Sequence, residues 1–273
     1  MMASDKVTIQ YLQQKKRDGK KITMLTAYDY FMAKMVDEAG IDGILVGDSL
    51  GMVVLGYEST LSVTMDDMIR HAQAVRRGVK RALIIGDMPY KSFDSPRDAV
   101  KNARRFAGEG GCGAVKLEGE SYEAASAIIK GGIPVLGHLG LTPQTASEFK
   151  VQGKDASVAK GIIEAAKRLE ALGCFGIVLE CIPLELAEIV TSKISIPTIG
   201  IGAGPACDGQ ILVLSDILGL FDRFMPKFAK KYADLGVMAK EAISRYKYEV
   251  EKNEFPKREN SFTMRREELE KIR

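Results

Sequence analysis

Residues 173–181 read GCFGIVLEC, a short apolar run that begins after a glycine and ends at a carboxylate, Glu180. Such a run is too short for a helix, and its continuous apolar composition is typical of a strand buried on both faces. Four other segments have the same form and reach titratable residues: 40–49 (GIDGILVGDS, with Asp48), 82–89 (ALIIGDMP, with Asp87), 111–120 (GCGAVKLEGE, with Lys116 and Glu118) and 134–140 (PVLGHLG, with His138). Buried carboxylates are costly to desolvate unless they are paired, so these strand ends predict one shared site that holds a cation.

Three further apolar runs complete a set of eight predicted strands: 22–26 (ITMLT), 197–201 (PTIGI) and 210–215 (QILVLS). Helical periodicity separates most of the strands, over 31–39, 64–78, 94–108, 122–130, 156–172 and 183–191. Strands separated by helices require parallel crossovers, and eight of them in about 250 residues is the size of a closed β/α barrel. The sequence therefore predicts an α/β fold, a (βα)8 TIM barrel, with residues 1–255 as a single catalytic domain.

Two observations bear on this fold. The octets 111–118 (GCGAVKLE) and 173–180 (GCFGIVLE) are nearly identical, which points to repeated βα units. An open doubly wound sheet is the alternative architecture, but no GxGxxG fingerprint follows the first predicted strand.

The composition is that of a globular enzyme. The chain has 273 residues, of which 46% are hydrophobic and 27% charged, with a net charge of +3 that is not gathered into a basic stripe. We therefore expect no nucleic-acid partner. No apolar stretch approaches the roughly 20 residues of a membrane span, and residues 1–16 lack the uncharged core of a signal peptide, so we expect a cytoplasmic protein with no membrane partner. The cysteines lack CxxC spacing and are expected to be reduced and structural.

Two segments fall outside the barrel pattern. Residues 140–153 (GLTPQTASEFKVQG) form a loop too long for a simple turn after the fifth strand, and they are interpreted as a lid over the site. Residues 256–273 are rich in charge and are interpreted as a C-terminal extension that contributes little to the core.

The candidate acids and Lys116 also have ordinary structural explanations. Asp48 in GDSLG and Asp87 in GDMPY could each form a turn or cap a helix. Lys116 and Glu118 are two residues apart, on the same side of a strand, where they could simply pair with each other. Glu180 could be satisfied by the backbone amides of the next turn.

Ser49 and the two histidines have alternatives of the same kind. His138 ends a predicted strand, and we expect it to face a ligand. His71 lies on the helix predicted over 64–78 and is interpreted as a surface or packing residue. Ser49 could cap a helix, or its hydroxyl could bind an anionic group of a substrate.

As a set, the candidate residues indicate metal-assisted chemistry. Carboxylates with few histidines and no paired cysteines form an oxygen-rich site that suits Mg²⁺ better than Zn²⁺. Such an ion polarises a carbonyl. Lys116 supplies a positive charge for a carboxylate, and an acid held off the metal could act as a base beside the polarised carbonyl. The residues therefore predict enolisation of a small oxo acid, followed by making or breaking a C–C bond.

Six motifs, in this order, resemble those of the ketopantoate hydroxymethyltransferase family: 26–78 (TAYDYFMAKMVDEAGIDGILVGDSLGMVVLGYESTLSVTMDDMIRHAQAVRRG), 86–90 (GDMPY), 115–119 (VKLEG), 134–144 (PVLGHLGLTPQ), 178–183 (VLECIP) and 199–216 (IGIGAGPACDGQILVLSD). The resemblance runs from about Val7 to Phe262 and implies a (βα)8 barrel that assembles as a homodecamer. It also implies Mg²⁺-dependent transfer of a hydroxymethyl group from 5,10-methylenetetrahydrofolate to 3-methyl-2-oxobutanoate. The products would be 2-dehydropantoate and tetrahydrofolate, in pantothenate biosynthesis.

The resemblance also implies roles for individual residues. The family's metal-binding positions match three residues of this chain: Asp48, Asp87 and Glu118. Its substrate-binding positions match five: Asp48, Ser49, Asp87, Lys116 and His138. Glu180 matches the proposed proton acceptor, which would remove the C3 proton of the oxo acid. Lys116 would bind the substrate carboxylate, and Glu118 would hold the ion directly or through water.

Two features of the chain depart from the family pattern. The loop after GLTPQ is a few residues shorter than usual, and residues 263–273 extend beyond the usual end.

Two other functions stay open. One alternative function is a Mg²⁺-dependent C–C lyase or mutase of the phosphoenolpyruvate mutase and isocitrate lyase type. Such enzymes usually carry a catalytic cysteine in a lid loop, and residues 140–153 contain none. The other alternative is a barrel that binds a ligand without catalysis.

Overall fold

A computed structural model describes residues 6–146 and 150–273. Its parallel strands form a closed barrel in which each strand pairs with the next and the eighth pairs with the first. The strands are β1 (Ile22–Thr26), β2 (Gly43–Val46), β3 (Leu83–Asp87), β4 (Ala114–Lys116), β5 (Val135–Gly140), β6 (Gly176–Glu180), β7 (Thr198–Ile201) and β8 (Gly209–Leu212). The predicted TIM-barrel fold is confirmed, and the open doubly wound sheet is excluded.

Helices cover the outside of the barrel and lie at its two ends. Within the described residues the α-helices are α1 (Ile9–Arg17), α2 (Tyr30–Glu38), α3 (Leu50–Val53), α4 (Met65–Gly78), α5 (Pro96–Gly108), α6 (Tyr122–Lys130), α7 (Ala156–Ala171), α8 (Leu184–Lys193), α9 (Leu214–Leu218), α10 (Leu235–Glu251) and α11 (Arg266–Glu270). The six helices predicted from periodicity are confirmed, with ends that differ by at most two residues. No helix in the described part of the chain is long and apolar enough to cross a membrane.

Local sequence explains where two of these helices begin. Thr64 and Asp67 form a reciprocal capping box at the start of α4: Thr64 Oγ1 accepts from the Asp67 N–H at 3.2 Å, and the Asp67 carboxylate accepts from the Thr64 N–H at 3.0 Å. Ser95 caps α5, because its Oγ accepts from the Asp98 N–H at 3.1 Å, and Pro96 occupies the first turn, where a missing N–H costs nothing.

Helices α1 and α10 are the longest of the helices that were not predicted from the sequence. Helix α1 closes the N-terminal end of the barrel, because its Leu12 is buried in the same apolar cluster as Ile22 and Met24. Helix α10 buries none of its residues and leaves apolar side chains such as Met238 and Ile243 exposed. Helix α10 therefore contributes no buried face to the core of this chain.

The alternation of side chains along each strand places candidate residues on the inner face of the barrel. Successive side chains of a strand face opposite sides, and Leu83 and Ile85 of β3 belong to the apolar cluster that fills the barrel interior. Asp87, two residues further on, therefore faces inward as well. The same two-residue step relates interior apolar residues to candidates on three other strands: Ala114 to Lys116, Leu136 to His138 and Val178 to Glu180. The interior of the barrel is thus filled by apolar side chains, and titratable side chains replace them at its C-terminal end.

The loop after β5 begins close to β6. Gly140 has a φ of 99°, and a Cβ at this position would collide with the carbonyl oxygen of Glu180, so only glycine is readily accommodated. The next residue, Leu141, donates its N–H to that same carbonyl at 2.9 Å. The prediction that 140–153 forms a lid, and that this loop is shortened, rests partly on residues 147–149, which lie outside the described residues.

Candidate active site

The structure brings all the candidate residues to the C-terminal end of the barrel. Contacts link Asp48 to Asp87, Asp87 to Lys116, Lys116 to Glu118, Glu118 to His138 and His138 to Glu180. Asp48 and Ser49 come from the turn between β2 and α3. Because carboxyl ends of neighbouring strands meet at one end of a barrel, residues far apart in sequence form one polar cluster.

Lys116 lies among the carboxylates. Its Nζ is 2.7 Å from Asp87 Oδ1 and 3.5 Å from Glu118 Oε1, and all three side chains are at least 95% buried. Burial disfavours the charged ammonium, but Asp87, Glu118 and Asp48 outweigh that effect and raise the pKa of Lys116. The simple Lys116–Glu118 pair considered from sequence is therefore the weaker of two contacts, since the closer partner is Asp87.

His138 bridges two acids. Its Nδ1 is 3.5 Å from Glu118 Oε1, its Nε2 is 3.1 Å from Glu180 Oε2, and its side chain is 1% exposed. Burial and Lys116 oppose protonation of the ring, but Glu118 and Glu180 together raise the pKa of His138 to about 9. His138 is therefore protonated near neutral pH and faces the polar cluster, as expected from its position at a strand end.

Glu118 has three close polar partners in the cluster: Lys116, His138 and the main-chain N–H of Gln144. Burial works against its charged form, yet Lys116 and His138 lower its pKa to about 2. Its second oxygen accepts a hydrogen bond from the main-chain N–H of Gln144 at 3.0 Å. Glu118 is thus ionised over the working pH range and has few free lone pairs for a direct metal bond.

Asp48 and Asp87 are buried carboxyl groups, and the negative charge of Asp87 makes ionisation of Asp48 less favourable. Burial, followed by the charge of Asp87, raises the pKa of Asp48 to about 8. Burial also raises the pKa of Asp87, although Lys116 opposes the shift. The Asp48 side chain accepts a hydrogen bond from Gln144 Nε2 at 2.8 Å and caps no helix. Adjacent carboxyl groups with raised pKa values are characteristic of a functional site.

Ser49 is held by a tyrosine. Its Oγ makes no cap hydrogen bond to α3 and instead lies 2.9 Å from the hydroxyl of Tyr28. Burial raises the pKa of Tyr28, so the phenol stays neutral. The helix-cap explanation of Ser49 is therefore wrong, and its hydroxyl is oriented by Tyr28 beside Asp48.

Two residues of this cluster were not identified from the sequence, and His71 lies nearby. Tyr28 and Gln144 were not candidates, although Tyr28 follows the end of β1 and Gln144 lies in the quoted motif 134–144. Position at the C-terminal end of a strand was the signal that could have found Tyr28. His71 is confirmed as a packing residue, because its Nδ1 lies 2.6 Å from the carbonyl oxygen of Tyr28.

The donor set fits a magnesium ion. Within residues 6–146 and 150–273, no three His, Cys, Asp or Glu side chains are arranged to hold an ion by themselves. Mg²⁺ needs no such cluster, because one or two carboxylates together with water and substrate oxygens usually hold it. Asp48 and Asp87 supply two buried carboxylates whose raised pKa values a divalent cation would lower.

Divalent-cation affinity is expected to rise with pH up to about pH 8. The raised pKa of Asp48, about 8, means that at lower pH the folded protein carries a proton that a cation must displace. Affinity should therefore fall as pH falls below that value and level off above it. Titration with Mn²⁺ at about pH 6.5 and about pH 8.5 measures the effect. An affinity independent of pH would show that Asp48 is not a ligand.

Residues 6–258 match the model of one protein family, described as ketopantoate hydroxymethyltransferase. The chain belongs to this family. Among ketopantoate hydroxymethyltransferases, it is 55% identical over 273 residues to the 3-methyl-2-oxobutanoate hydroxymethyltransferase of Syntrophomonas wolfei subsp. wolfei, covering 98% of this chain and 99% of that protein. It is 60% identical over 255 residues to the protein of the same name from Clostridium kluyveri, covering 91% of each. The chain is therefore an enzyme, a transferase.

Solved structures share the barrel at low identity. A phosphonopyruvate hydrolase in complex with oxalate and Mg²⁺ is 13% identical, with a TM-score of 0.59 over 96% of this chain and 93% of that one. A 2,3-dimethylmalate lyase of the phosphoenolpyruvate mutase/isocitrate lyase superfamily is 14% identical, with a TM-score of 0.58 over 100% of this chain and 98% of that one. These likenesses support the fold alone. The family match favours the ketopantoate hydroxymethyltransferase reading over the lyase alternative.

Proposed function

We propose that this chain transfers a hydroxymethyl group from 5,10-methylenetetrahydrofolate to 3-methyl-2-oxobutanoate, with Mg²⁺, in pantothenate biosynthesis. The products are 2-dehydropantoate and tetrahydrofolate, and one water molecule is consumed. The observation that carries the proposal is the buried pair Asp48 and Asp87 in a member of this family, with Lys116 linking Asp87 to Glu118 and His138 linking Glu118 to Glu180.

Lys116 and Ser49 are proposed to bind the oxo acid. An ammonium group has three N–H donors, and two of those of Lys116 point to Asp87 and Glu118. The third is then available for the substrate carboxylate, and the raised pKa of Lys116 keeps the group charged. The Ser49 hydroxyl, oriented by Tyr28, adds a neutral donor on the Asp48 side.

Asp48 and Asp87 are proposed to hold Mg²⁺ directly, and Glu118 to hold it through water. This division follows from how each acid is engaged, since Glu118 already faces Lys116, His138 and the Gln144 N–H. When bound, the ion supplies Lewis-acid polarisation of the substrate ketone, which acidifies the C3–H bond.

Glu180 is proposed to accept the C3 proton. Its carboxylate lies at the C-terminal end of β6, is less buried than the other acids and is 3.1 Å from His138 Nε2. His138 Nε2 lies 3.1 Å from one oxygen of Glu180, and the other oxygen is proposed to face the substrate. His138 is therefore proposed to line the substrate site and to orient the base. The carbon that loses the proton then attacks the one-carbon unit.

Proton NMR of 3-methyl-2-oxobutanoate in D₂O tests the proposed function. With protein and Mg²⁺, the C3 proton signal is expected to disappear, because the base exchanges that proton with solvent. Addition of methylenetetrahydrofolate is then expected to produce 2-dehydropantoate. Omission of Mg²⁺ is the control for metal dependence. Folded protein that gives neither exchange nor product would contradict the proposal.

The resemblance to the family also leads us to propose a homodecamer and a barrel domain over 1–255 followed by an extension over 256–273. Helix α10 supports an assembly, because it buries none of its own residues and exposes Met238 and Ile243 to 62% and 67%. Exposed apolar side chains on an unpartnered helix favour contact with another protein surface.

A further inference from the structure

Gln144 is a buried carboxamide in the loop after β5, and the roles proposed above do not use its side chain. Its Nε2 donates to Asp48 Oδ2 at 2.8 Å and to the carbonyl oxygen of Met88 at 3.0 Å. Its main-chain N–H donates to Glu118 Oε2 at 3.0 Å. The residue is 4% exposed. A single residue of this loop therefore binds groups that follow three other strands, β2, β3 and β4.

The orientation of the carboxamide is determined by its neighbours. The main-chain carbonyl of Met88 can only accept a hydrogen bond, so the NH₂ end of the amide faces it and, beside it, Asp48 Oδ2. Oε1 of Gln144 is buried and has no hydrogen-bond partner in the described part of the chain. A buried acceptor without a partner is unfavourable, and it indicates a donor that arrives from outside the protein.

We propose that Gln144 is a positioning residue for the divalent-cation site. Its Nε2 holds one oxygen of Asp48, which fixes the orientation of that carboxylate for a cation. Its Oε1 accepts a hydrogen bond from a water or hydroxyl group in the occupied site. This inference rests on the proposed function, because it takes Asp48 as a metal ligand. Loss of a hydrogen bond to a ligating carboxylate typically weakens metal binding by about 10- to 100-fold.

Two variants separate the hydrogen bonds of Gln144 from its volume. Gln144→Met keeps a side chain of similar length and retains the main-chain N–H to Glu118, but it removes the donor to Asp48. Gln144→Asn keeps the carboxamide on a stem that is too short to reach Asp48 and Met88 together. The matched control is Gln73→Met, which removes an exposed glutamine of α4 that donates to the main-chain carbonyl of Glu109.

The measurement is the Kd for Mn²⁺, from electron spin resonance or calorimetry, together with the thermal midpoint of each full-length variant. Both Gln144 variants are expected to bind Mn²⁺ about 10- to 100-fold more weakly than the wild type, with thermal midpoints close to it. Gln73→Met is expected to bind normally. Higher Mg²⁺ concentrations should also restore C3 proton exchange in the Gln144 variants, which a purely structural defect would not allow.

Three outcomes would overturn the inference in distinguishable ways. Wild-type protein that does not bind Mn²⁺ would overturn both the proposed metal site and the role of Gln144. Wild-type affinity in both Gln144 variants would overturn the role of Gln144 alone and leave the proposed function intact. Loss of the folded state in both variants would make Gln144 a structural residue.

Discussion

Glu180→Gln is expected to lower the rate of C3 proton exchange by at least about 100-fold while the variant still binds 3-methyl-2-oxobutanoate. General bases contribute about 10²- to 10⁴-fold to such steps, and an amide cannot accept the proton. In the wild type, one carboxylate oxygen of Glu180 lies 3.1 Å from His138 Nε2. The glutamine side chain can place its amide oxygen at the same position, so the site should retain its shape. The exchange rate is measured by NMR in D₂O, and the Kd of the oxo acid by calorimetry.

The control for this variant is Glu164→Gln, which changes an exposed acid of α7 that pairs with Lys167 on the helix surface. Its exchange rate and Kd should equal those of the wild type. If Glu180→Gln exchanges the C3 proton at the normal rate, the base is another residue. Weaker substrate binding with a normal rate constant would make Glu180 a binding residue.

Lys116→Met is expected to destabilise the fold by about 3–5 kcal/mol and to weaken binding of the oxo acid. Removing one partner of a buried ion pair leaves the other charge uncompensated, and Asp87 and Glu118 both lose their cation. The pKa of Asp87 is already raised by burial and would rise further without Lys116. Since protonation relieves the unpaired charge, the destabilisation should shrink as pH falls. Urea unfolding at several pH values measures it.

Lys167→Met is the matched control, because Lys167 is 45% exposed and pairs with Glu164 on the helix surface. Its free energy of unfolding should change by less than about 1 kcal/mol. A Lys116→Met protein with wild-type stability at every pH would show that the carboxylates find another partner in solution. Unchanged affinity for the oxo acid in a folded variant would remove Lys116 from the substrate site.

Strand alternation explains why much of the candidate site could be read from sequence. Asp87, Lys116 and His138 each follow an interior apolar residue by two positions, and parallel strands in a closed barrel end at the same face. The period of the apolar residues, the two-residue spacing along a strand and the direction in which each strand runs are local properties of the chain. The barrel, most helix positions and the common location of the candidate residues therefore follow from the amino-acid sequence.

The helices that escaped sequence analysis have a different explanation. Helix α1 is short, and the importance of Leu12 becomes apparent only when the helix covers the open end of the barrel. Helix α10 has no buried residue, so its apolar side chains do not form a stripe that faces the core of this chain. Periodicity detects a helix through the surface that it buries, and α10 buries none.

The barrel fold and the gathering of titratable side chains at the C-terminal ends of its strands can be predicted from the amino-acid sequence alone. The pairing of these side chains becomes apparent only in the folded chain: Lys116 lies closer to Asp87 than to Glu118, and Gln144 contacts Asp48 across 96 residues of chain. The reason is that strand ends are placed by short-range pattern and by the closure of the barrel. The partners of a buried side chain depend instead on the paths of loops and on distances of a few tenths of an ångström, which no spacing in the sequence encodes.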